Sequence, residues 1–511
     1  MNVAIIAVSA ILAYAWLIYP LLVLMAGCVA RGRKQETCTG RISRVSIVFS
    51  AHNKADVIRE RLENLTQSIS QTAESLTGLR TEIHIGLDAC TDSTKDDIYK
   101  FIDERKADCR HWAGENEHNT SARTPSTDNL MLSTVYHVHE FQSQMGKPAV
   151  LKEIIRRIKD KEALFMPEVL VFTDANTSFR PGALLQLLGH FADDKVGGTC
   201  GRLIFISGET PDINNGEAAS PPKADSKNNN QTSRLVGSVG VETGGLGGNN
   251  SFVSLGELGS LARENSSASI YDIGGVKNHI PSSENIYWNI EAKLKEAESR
   301  IDSCLGANGA IYAIRTRLFW DALPGNTIVD DFVIGMKVRE AGYRMIFDPE
   351  AVAEEELPQE ASEWQRRVRI GAGDFQALSL CRRLLLPKYG FFAWIFCSHK
   401  VLRWLTPHLL IALLALTATE LIATGSLLSR CIAAGFVLYS LFASLGAIGN
   451  KEAQSEKCRV KAVSDFRFQV SCFTFLFKIF LHGLMMQAAL FTGFLRYCRG
   501  DLKGTWERTP R

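Results

Sequence analysis

Three hydrophobic patterns divide the chain. The first is unbroken. Residues 3–30 carry no charge and end at Arg31-Gly32-Arg33-Lys34. About 20 apolar residues suffice to cross a bilayer. No basic segment precedes the stretch and no small-residue cleavage site follows, so it predicts an uncleaved membrane anchor. The basic cluster predicts that the chain after it lies on the cytoplasmic side. Residues 405–424, 431–449 and 473–495 predict further spans. Lys478 and His482 interrupt the last, and Glu420 lies in another. Lys457, Arg459, Lys461 and Arg467 precede the last stretch; Arg496, Arg499 and Lys503 follow it. One crossing cannot keep both groups cytoplasmic, so either this stretch is re-entrant or residues 391–404 are deeply embedded.

The second pattern alternates short apolar runs with helical spacing. Residues 44–50, 82–87, 134–139 and 168–172 are β-branched or apolar and predict buried strands. Between them, Val57, Leu62, Leu65 and Ile69 share a helical face. Residues 94–105 and 147–159 predict further helices, and Pro181 suits a helix's first turn. Strands alternating with helices predict a parallel α/β sheet, whose ligands sit beyond the strands' carboxyl ends. Asp88 and Asp174 stand at such ends.

The third pattern is polar. Residues 207–283 hold Pro221-Pro222, Asn228-Asn229-Asn230 and a glycine-asparagine run, with few large apolar residues. They predict a mostly disordered insertion. A charged helix is expected at 290–301, and the basic, aromatic and aliphatic mixture at 371–403 predicts amphipathic helices at the membrane surface. Trp394 and Trp404 read there as interfacial anchors, and Arg367 as part of a membrane-facing basic patch.

Composition adds little and excludes some classes. The 511 residues have a net charge of +2, without the basic bias of a nucleic-acid protein. The 12 cysteines are scattered without metal or disulfide spacing, which suits a reducing compartment. His137 and His139 alternate on a strand without partner spacing and read as structural.

Three acidic positions and an arginine cluster remain: Asp88, Asp174, Asp331 preceded by Asp330, and Arg366 with Arg369. Transfer of a sugar from a nucleotide diphosphate needs a base for the acceptor hydroxyl, and positive charge for the leaving group. This set can supply both. The ordered strings VSIVFSAHN, EIHIGLDACTDST, QMGKPAVLKEI, VFTDANTSFRPGALL, LGANGAIYAIRTRLF, the run from TIVDDFVIG to AVAEEE, QRRVRIGAGDFQAL and TWERTPR cover most of the chain outside the insertion. Together they resemble the membrane-integrated family-2 glycosyltransferases, the group of cellulose, hyaluronan and poly-N-acetylglucosamine synthases.

The resemblance implies a GT-A (Rossmann-like) α/β domain between N- and C-terminal transmembrane helices. It implies an anchor at 1–30, a cytoplasmic catalytic domain at 44–375, interfacial helices at 376–404, a transmembrane region at 405–497 and a tail at 498–511. Ala51 and Asn53 would line the nucleotide pocket, and Asp88 would bond uracil or ribose. Gly146-Lys147 would lie near the donor. Asp174 would open the Asp-x-Asp motif that holds Mg²⁺ or Mn²⁺ and the diphosphate. Asp331 would be the general base, with Asp330 before it. Arg366 and Arg369 would face the diphosphate, and Asn308 and Gly309 the acceptor side. The expected activity is inverting transfer from a UDP-sugar to a glycan or lipid-linked acceptor at the bilayer's cytoplasmic face. A processive synthase that exports its product and a non-catalytic UDP-sugar-binding membrane protein are the alternatives. Two positions depart from the family pattern. Asn176 replaces the second aspartate and removes a charge, and Ile370 replaces a tryptophan associated with the acceptor in processive synthases.

Overall fold

The computed structural model describes residues 1–30, 42–76, 78–116, 134–160, 166–206, 283–356, 363–456 and 464–502. The basic cluster at 31–34, the insertion up to residue 282 and the terminal TWERTPR lie outside them.

Helix α1 (Asn2–Val29) is apolar throughout, with a π turn at Tyr14–Ile18. An alternating region follows: β1 (Arg44–Ala51), α2 (Ile58–Ser75), β2 (Arg80–Asp88), α3 (Thr94–Asn116), β3 (Val135–Phe141), α4 (Lys147–Asp160) and β4 (Val169–Thr173). Next come β5 (Thr177–Phe179), α5 (Ala183–Gly189), β6 (Val196–Ile206), α6 (Ser283–Ile301), β7 (Ile311–Arg315), α7 (Asp330–Glu340) and β8 (Arg344–Glu356). The helices α8 (Glu363–Cys381), α9 (Phe391–Phe396), α10 (Thr406–Ala423), α11 (Leu427–Glu456) and α12 (Ser464–Arg499) complete the described chain.

The strands form one eight-stranded sheet in the order β3-β2-β1-β4-β7-β6-β8-β5. Alternate residues of β1 enter opposite cores. Val45, Ile47 and Phe49 pack with Leu62, Leu65 and Ile69 of α2 and Leu187 of α5. Val48 joins Leu151 and Ile154 of α4, Val333 of α7 and Phe375 of α8. A strand apolar on both faces is what a covered sheet requires, and this is why residues 44–50 read as an unbroken apolar run.

The expectation of a wholly parallel sheet is corrected. β3, β2, β1 and β4 are parallel, but β7 runs antiparallel to both β4 and β6. The reason is where β7 enters: Ile311 pairs with Thr173, so β7 begins at the carboxyl end of β4. That reversal sets residues 308–310 beside Asp174.

Three membrane-side expectations also change. Residues 391–404 turn one face inward, where Phe392, Phe396 and Trp404 enter the same core as β4 and α7, while Phe391 stays exposed. Trp404 is 7% exposed, with its ring 5.7 Å from that of Phe332, so it is a core residue rather than an interfacial anchor. Finally, α12 is one continuous helix of 36 residues, which leaves no re-entrant turn in it. Among the described residues, four helices are long and apolar enough to cross a membrane: Asn2–Val29, Thr406–Ala423, Leu427–Leu445 and Ile479–Arg499.

Candidate active site

The loops after β1 and β2 are tied together before any ligand is considered. Asn53 takes a left-handed backbone (φ 51°), which asparagine tolerates better than most residues. Its carbonyl accepts the Thr91 amide at 2.8 Å, and its own amide donates to Thr91 Oγ1 at 3.1 Å. Ala51, the last residue of β1, is buried at 1%. Asp88, buried at the end of β2, accepts the backbone N–H groups of Met145 at 2.7 Å and Gly146 at 2.9 Å. The Asp88 carboxylate thus fixes the turn that starts α4, where Gly146 has φ 85° and Lys147 is the first helical residue.

Lys147 reaches across the strand ends and donates to Asp174 Oδ1 at 2.6 Å. Both meet Asp331 above Gly309. A Cβ on Gly309 would lie 3.2 Å from Asp174 Oδ2, 3.2 Å from Lys147 Nζ and 3.5 Å from Asp331 Oδ2. A side chain there would enter the space where these groups converge and press on Asp174 and Lys147. Neighbouring Asn308 has a scaffold part: its amide donates to the Gly201 carbonyl at 2.7 Å, and its oxygen accepts the Ile311 N–H at 3.3 Å.

Electrostatics bind the set together. Asp330 and Asp331 open α7, where the helix dipole favours negative charge. Burial nevertheless dominates: it pushes Asp330 up to about 7 against the pull of Lys147, and it raises Asp331 as well. Asp331 Oδ1 accepts the Phe332 N–H at 2.8 Å, and its second oxygen faces the convergence point. Burial disfavours the Lys147 charge, but Asp174, Asp330 and Asp331 outweigh it and hold the ammonium above its ordinary pKa. Asp174 and Asn176 suit a hard cation. The Asn176 amide donates to Glu355 Oε1 at 2.8 Å, a bond that does not use its side-chain oxygen. Carboxylate, amide and diphosphate oxygens are the donor set that Mg²⁺ or Mn²⁺ takes.

A cavity of about 590 Å³ opens beside Asp331 and Asn308. Arg366, Arg367, Ile370 and Asp374 of α8 form one wall, and Met486 and Leu490 of α12 form another. Arg366 pairs with Glu363 at 2.9 Å. Arg367 pairs with the same carboxylate and lines the cavity, so it does not belong to a membrane-facing patch. Arg369 lies next to this wall. Burial and then Arg366 lower its pKa, while Asp330 and Asp331 oppose that shift.

Several polar groups escaped the sequence reading. Arg61 is 2% exposed in α2, bonded to Thr173 and Asn64, with its guanidinium 4.5 Å from the Phe179 ring centre. Burial lowers it to about 9 and the Asp174 charge opposes this, so it is a second cation behind Asp174. A charged residue inside the apolar face formed by Ile58, Leu62 and Leu65 was the available signal. The Tyr312 hydroxyl is buried without a hydrogen-bond partner, and its ring stacks 4.6 Å from that of Phe172. Burial raises its pKa, with further contributions from Asp330, Asp331 and Asp174. Asp374 is pushed up to about 7 by burial, offset in part by Lys400.

No protein-family model and no curated protein matches the chain. Among solved structures it is similar to the mannosyltransferase PcManGT from Pyrobaculum calidifontis, in complex with GDP-Man and Mn²⁺. The TM-score is 0.54 at 15% identity, over 98% of this chain and 99% of that one. It is less similar to GalNAc-T7 with UDP, GalNAc and Mn²⁺, with a TM-score of 0.32 at 13% identity over 62% of this chain and 44% of that one. The second likeness carries no argument. The first extends over both chains almost completely, so this chain shares the fold of that protein, with four helices of membrane-spanning length among the described residues.

Proposed function

We propose that this protein is a membrane-bound inverting glycosyltransferase. It moves a sugar from a UDP-sugar to a hydroxyl of a glycan or lipid-linked acceptor at the cytoplasmic face of the bilayer. The observation that carries this reading is the convergence of Asp174, Lys147 and Asp331 over Gly309, with a cavity leading away from Asp331 toward α12.

Asp331 takes the proton of the acceptor hydroxyl as that oxygen attacks the anomeric carbon. Attack from the face opposite the leaving group inverts the centre. Lys147 stabilises the departing diphosphate at the end of α4, and Arg366 and Arg369 add charge from α8. Asp174 and Asn176 would hold a divalent cation, whose chemistry is charge neutralisation at that diphosphate. Arg61 places a second positive charge behind Asp174. Asp88 and Asn53 act on the nucleotide side by fixing the two loops that border it.

The cavity lining favours a lipid-linked acceptor over a soluble glycan. Its polar part, Arg366, Arg367 and Lys400, suits a phosphate, and its apolar part, Ile479, Met486 and Leu490, belongs to a helix of membrane-spanning length. Ile370 stands in the cavity wall where the resemblance expects a tryptophan associated with processive synthesis, and that departure favours single addition, although Trp16, Phe332 and Trp404 line the same cavity. Asp331→Asn tests the assignment. Transfer should be abolished while UDP affinity stays near wild type, and full activity in that variant would sink the base role. Product length from purified protein in lipid separates single addition from polymerisation. Absence of UDP release across a panel of donors and acceptors would instead favour a silent binding protein.

A further inference from the structure

At the amino-terminal end of β2 and β3 lies a polar cluster that the reaction does not use. His84 and His137 are register partners on the two strands, and Glu82 lies two residues before His84 on the same face. The imidazoles stack with ring centres 4.6 Å apart at 21°. Glu82 Oε2 is 3.0 Å from His84 Nε2 and 3.4 Å from His137 Nε2. One ligand atom from each residue lies within 4.8 Å of the others. The His84 side chain is 1% exposed, Glu82 15% and His137 25%. Parallel strands do not ordinarily spend a covered face on two imidazoles and a carboxylate, because each polar group there must be satisfied.

We propose that Glu82, His84 and His137 form a second divalent-cation site, of zinc type, that clasps the edge strand β3 to β2. Zinc bonds of about 2.0–2.2 Å to nitrogen and carboxylate oxygen, in tetrahedral geometry, set ligand atoms about 3.3 Å apart. Two of the three separations here are already close to that value. The donor set is imidazole and carboxylate, which suits Zn²⁺ or Co²⁺ rather than Mg²⁺. His137 Nε2 is sealed from solvent and makes no hydrogen bond, although it faces Glu82.

An outer partner is also present. His84 Nδ1 lies 3.1 Å from His139 Nε2. A proton on His84 Nδ1, donated to His139, leaves the Nε2 lone pair directed at the cation. Arg157 Nη1 stands 3.5 Å from His139 Nδ1, at the outer limit of a hydrogen bond, while its Nε is committed to Glu153 at 2.9 Å. For His139 to accept through Nε2 its proton must sit on Nδ1, so the long Arg157 contact has to give way when the cation binds.

The site is distinct from the one above Gly309. Six residues of strand separate Glu82 from Asp88, on the order of 20 Å at about 3.3 Å per residue. Its consequence is mechanical. Within the described sheet, β3 pairs only with β2, and the opposite ends of these two strands carry Asp88 and the turn that delivers Lys147. A cation across their amino ends fixes the register on which that turn depends.

The test uses the full chain in detergent, stripped with a chelator, re-equilibrated with Zn²⁺ and dialysed, with bound metal counted per chain. Wild type should hold one more zinc than His137→Asn and should gain thermal stability on zinc addition. Asp174→Asn should hold as much zinc as wild type. His139→Ala should retain the site with affinity about 10–100-fold weaker, as expected when a ligand's outer partner is removed. Glu82→Gln keeps the side-chain volume and should also lose one zinc, which guards against a variant that merely fails to fold. Equal zinc counts in wild type, His137→Asn and Glu82→Gln would mean adventitious binding elsewhere and would overturn the proposal. So would a wild-type chain that takes up no zinc.

Discussion

Gly493 of α12 lies directly against Gly371 of α8. A Cβ on Gly493 would come within 2.7 Å of the Gly371 carbonyl carbon and 2.6 Å of the Ala372 nitrogen. From the other side, a Cβ on Gly371 would sit 3.1 Å from Leu490 Cα. The helix bearing Arg366 and Arg369 is thus set by backbone-to-backbone contact with a helix of membrane-spanning length. The cavity wall beside Asp331 inherits its position from that crossing. Gly493→Val must push the helices apart, and overpacking of this kind costs about 1–3 kcal/mol. Thermal melts in detergent should show that loss, and turnover of the surviving folded protein should fall as well. A Gly493→Val variant with wild-type melting and turnover would contradict the crossing.

Lys147 is the cation at the convergence over Gly309, and its partner Asp174 is 2.6 Å away. Lys147→Met removes the charge and leaves Asp174 facing Asp331 and Asp330. Losing one oriented donor of this kind costs about 10²–10³ in turnover. Donor affinity should weaken much less, since the lysine's interaction strengthens as charge develops on the departing diphosphate. Lys147→Arg should not restore the rate, because a planar guanidinium does not fit a position shaped for a point charge between carboxylates. Initial rates with varied donor concentration check both variants.

The acids opening α7 set stability and activity in opposition. Burial raises Asp330 to about 7, far above its value in an unfolded chain. A carboxyl raised in the folded state contributes stability that is fully present below about pH 4. That contribution is lost as pH climbs through about 7. Asp331 is raised too, and a base must be ionised, so its activity should rise with pH across a limb above the ordinary carboxylate range. Melting temperature should therefore fall over the interval in which transfer gains. Asp330→Asn should flatten the stability decline between about pH 5 and 8. An unchanged slope would show that Asp330 is not its source.

The strand ends were legible because chemistry and pattern coincide there. The runs of β1 and β4 are mostly apolar and that of β2 is apolar from Ile85 to Leu87, and Asp88 and Asp174 follow where polarity returns. The exchange of partners at β7 was not legible. Antiparallel entry depends on where α6 delivers the chain, and no local periodicity encodes it. For that reason Gly309 could be named but not placed between Asp174 and Asp331. Arg61 was hidden by its setting, since it occupies an apolar helical face and acts through Thr173. Arg367 and Trp404 misled for a related reason. Basic and aromatic residues near apolar helices look interfacial, and only tertiary packing turns one toward the cavity and the other into the core. His137 and His139 looked unpartnered because His84 and Glu82 come from another strand.

Asn176 permits a test of how the cation position was tuned. Its amide donates to Glu355 Oε1 at 2.8 Å, so Asn176→Asp would set two carboxylates against each other across that distance. Taken alone, the substitution should destabilise the chain and improve metal use little, since repulsion from Glu355 works against the gained charge. Glu355→Gln supplies an amide that can donate to the new aspartate. The double variant Asn176→Asp/Glu355→Gln should therefore recover stability and reach half-maximal transfer at a lower Mn²⁺ concentration than wild type. The two changes should be strongly non-additive, as expected for residues in direct contact. Metal titrations of all four proteins read this out. Additive effects would mean that Glu355 does not restrain position 176, and that the missing second acid has another cause.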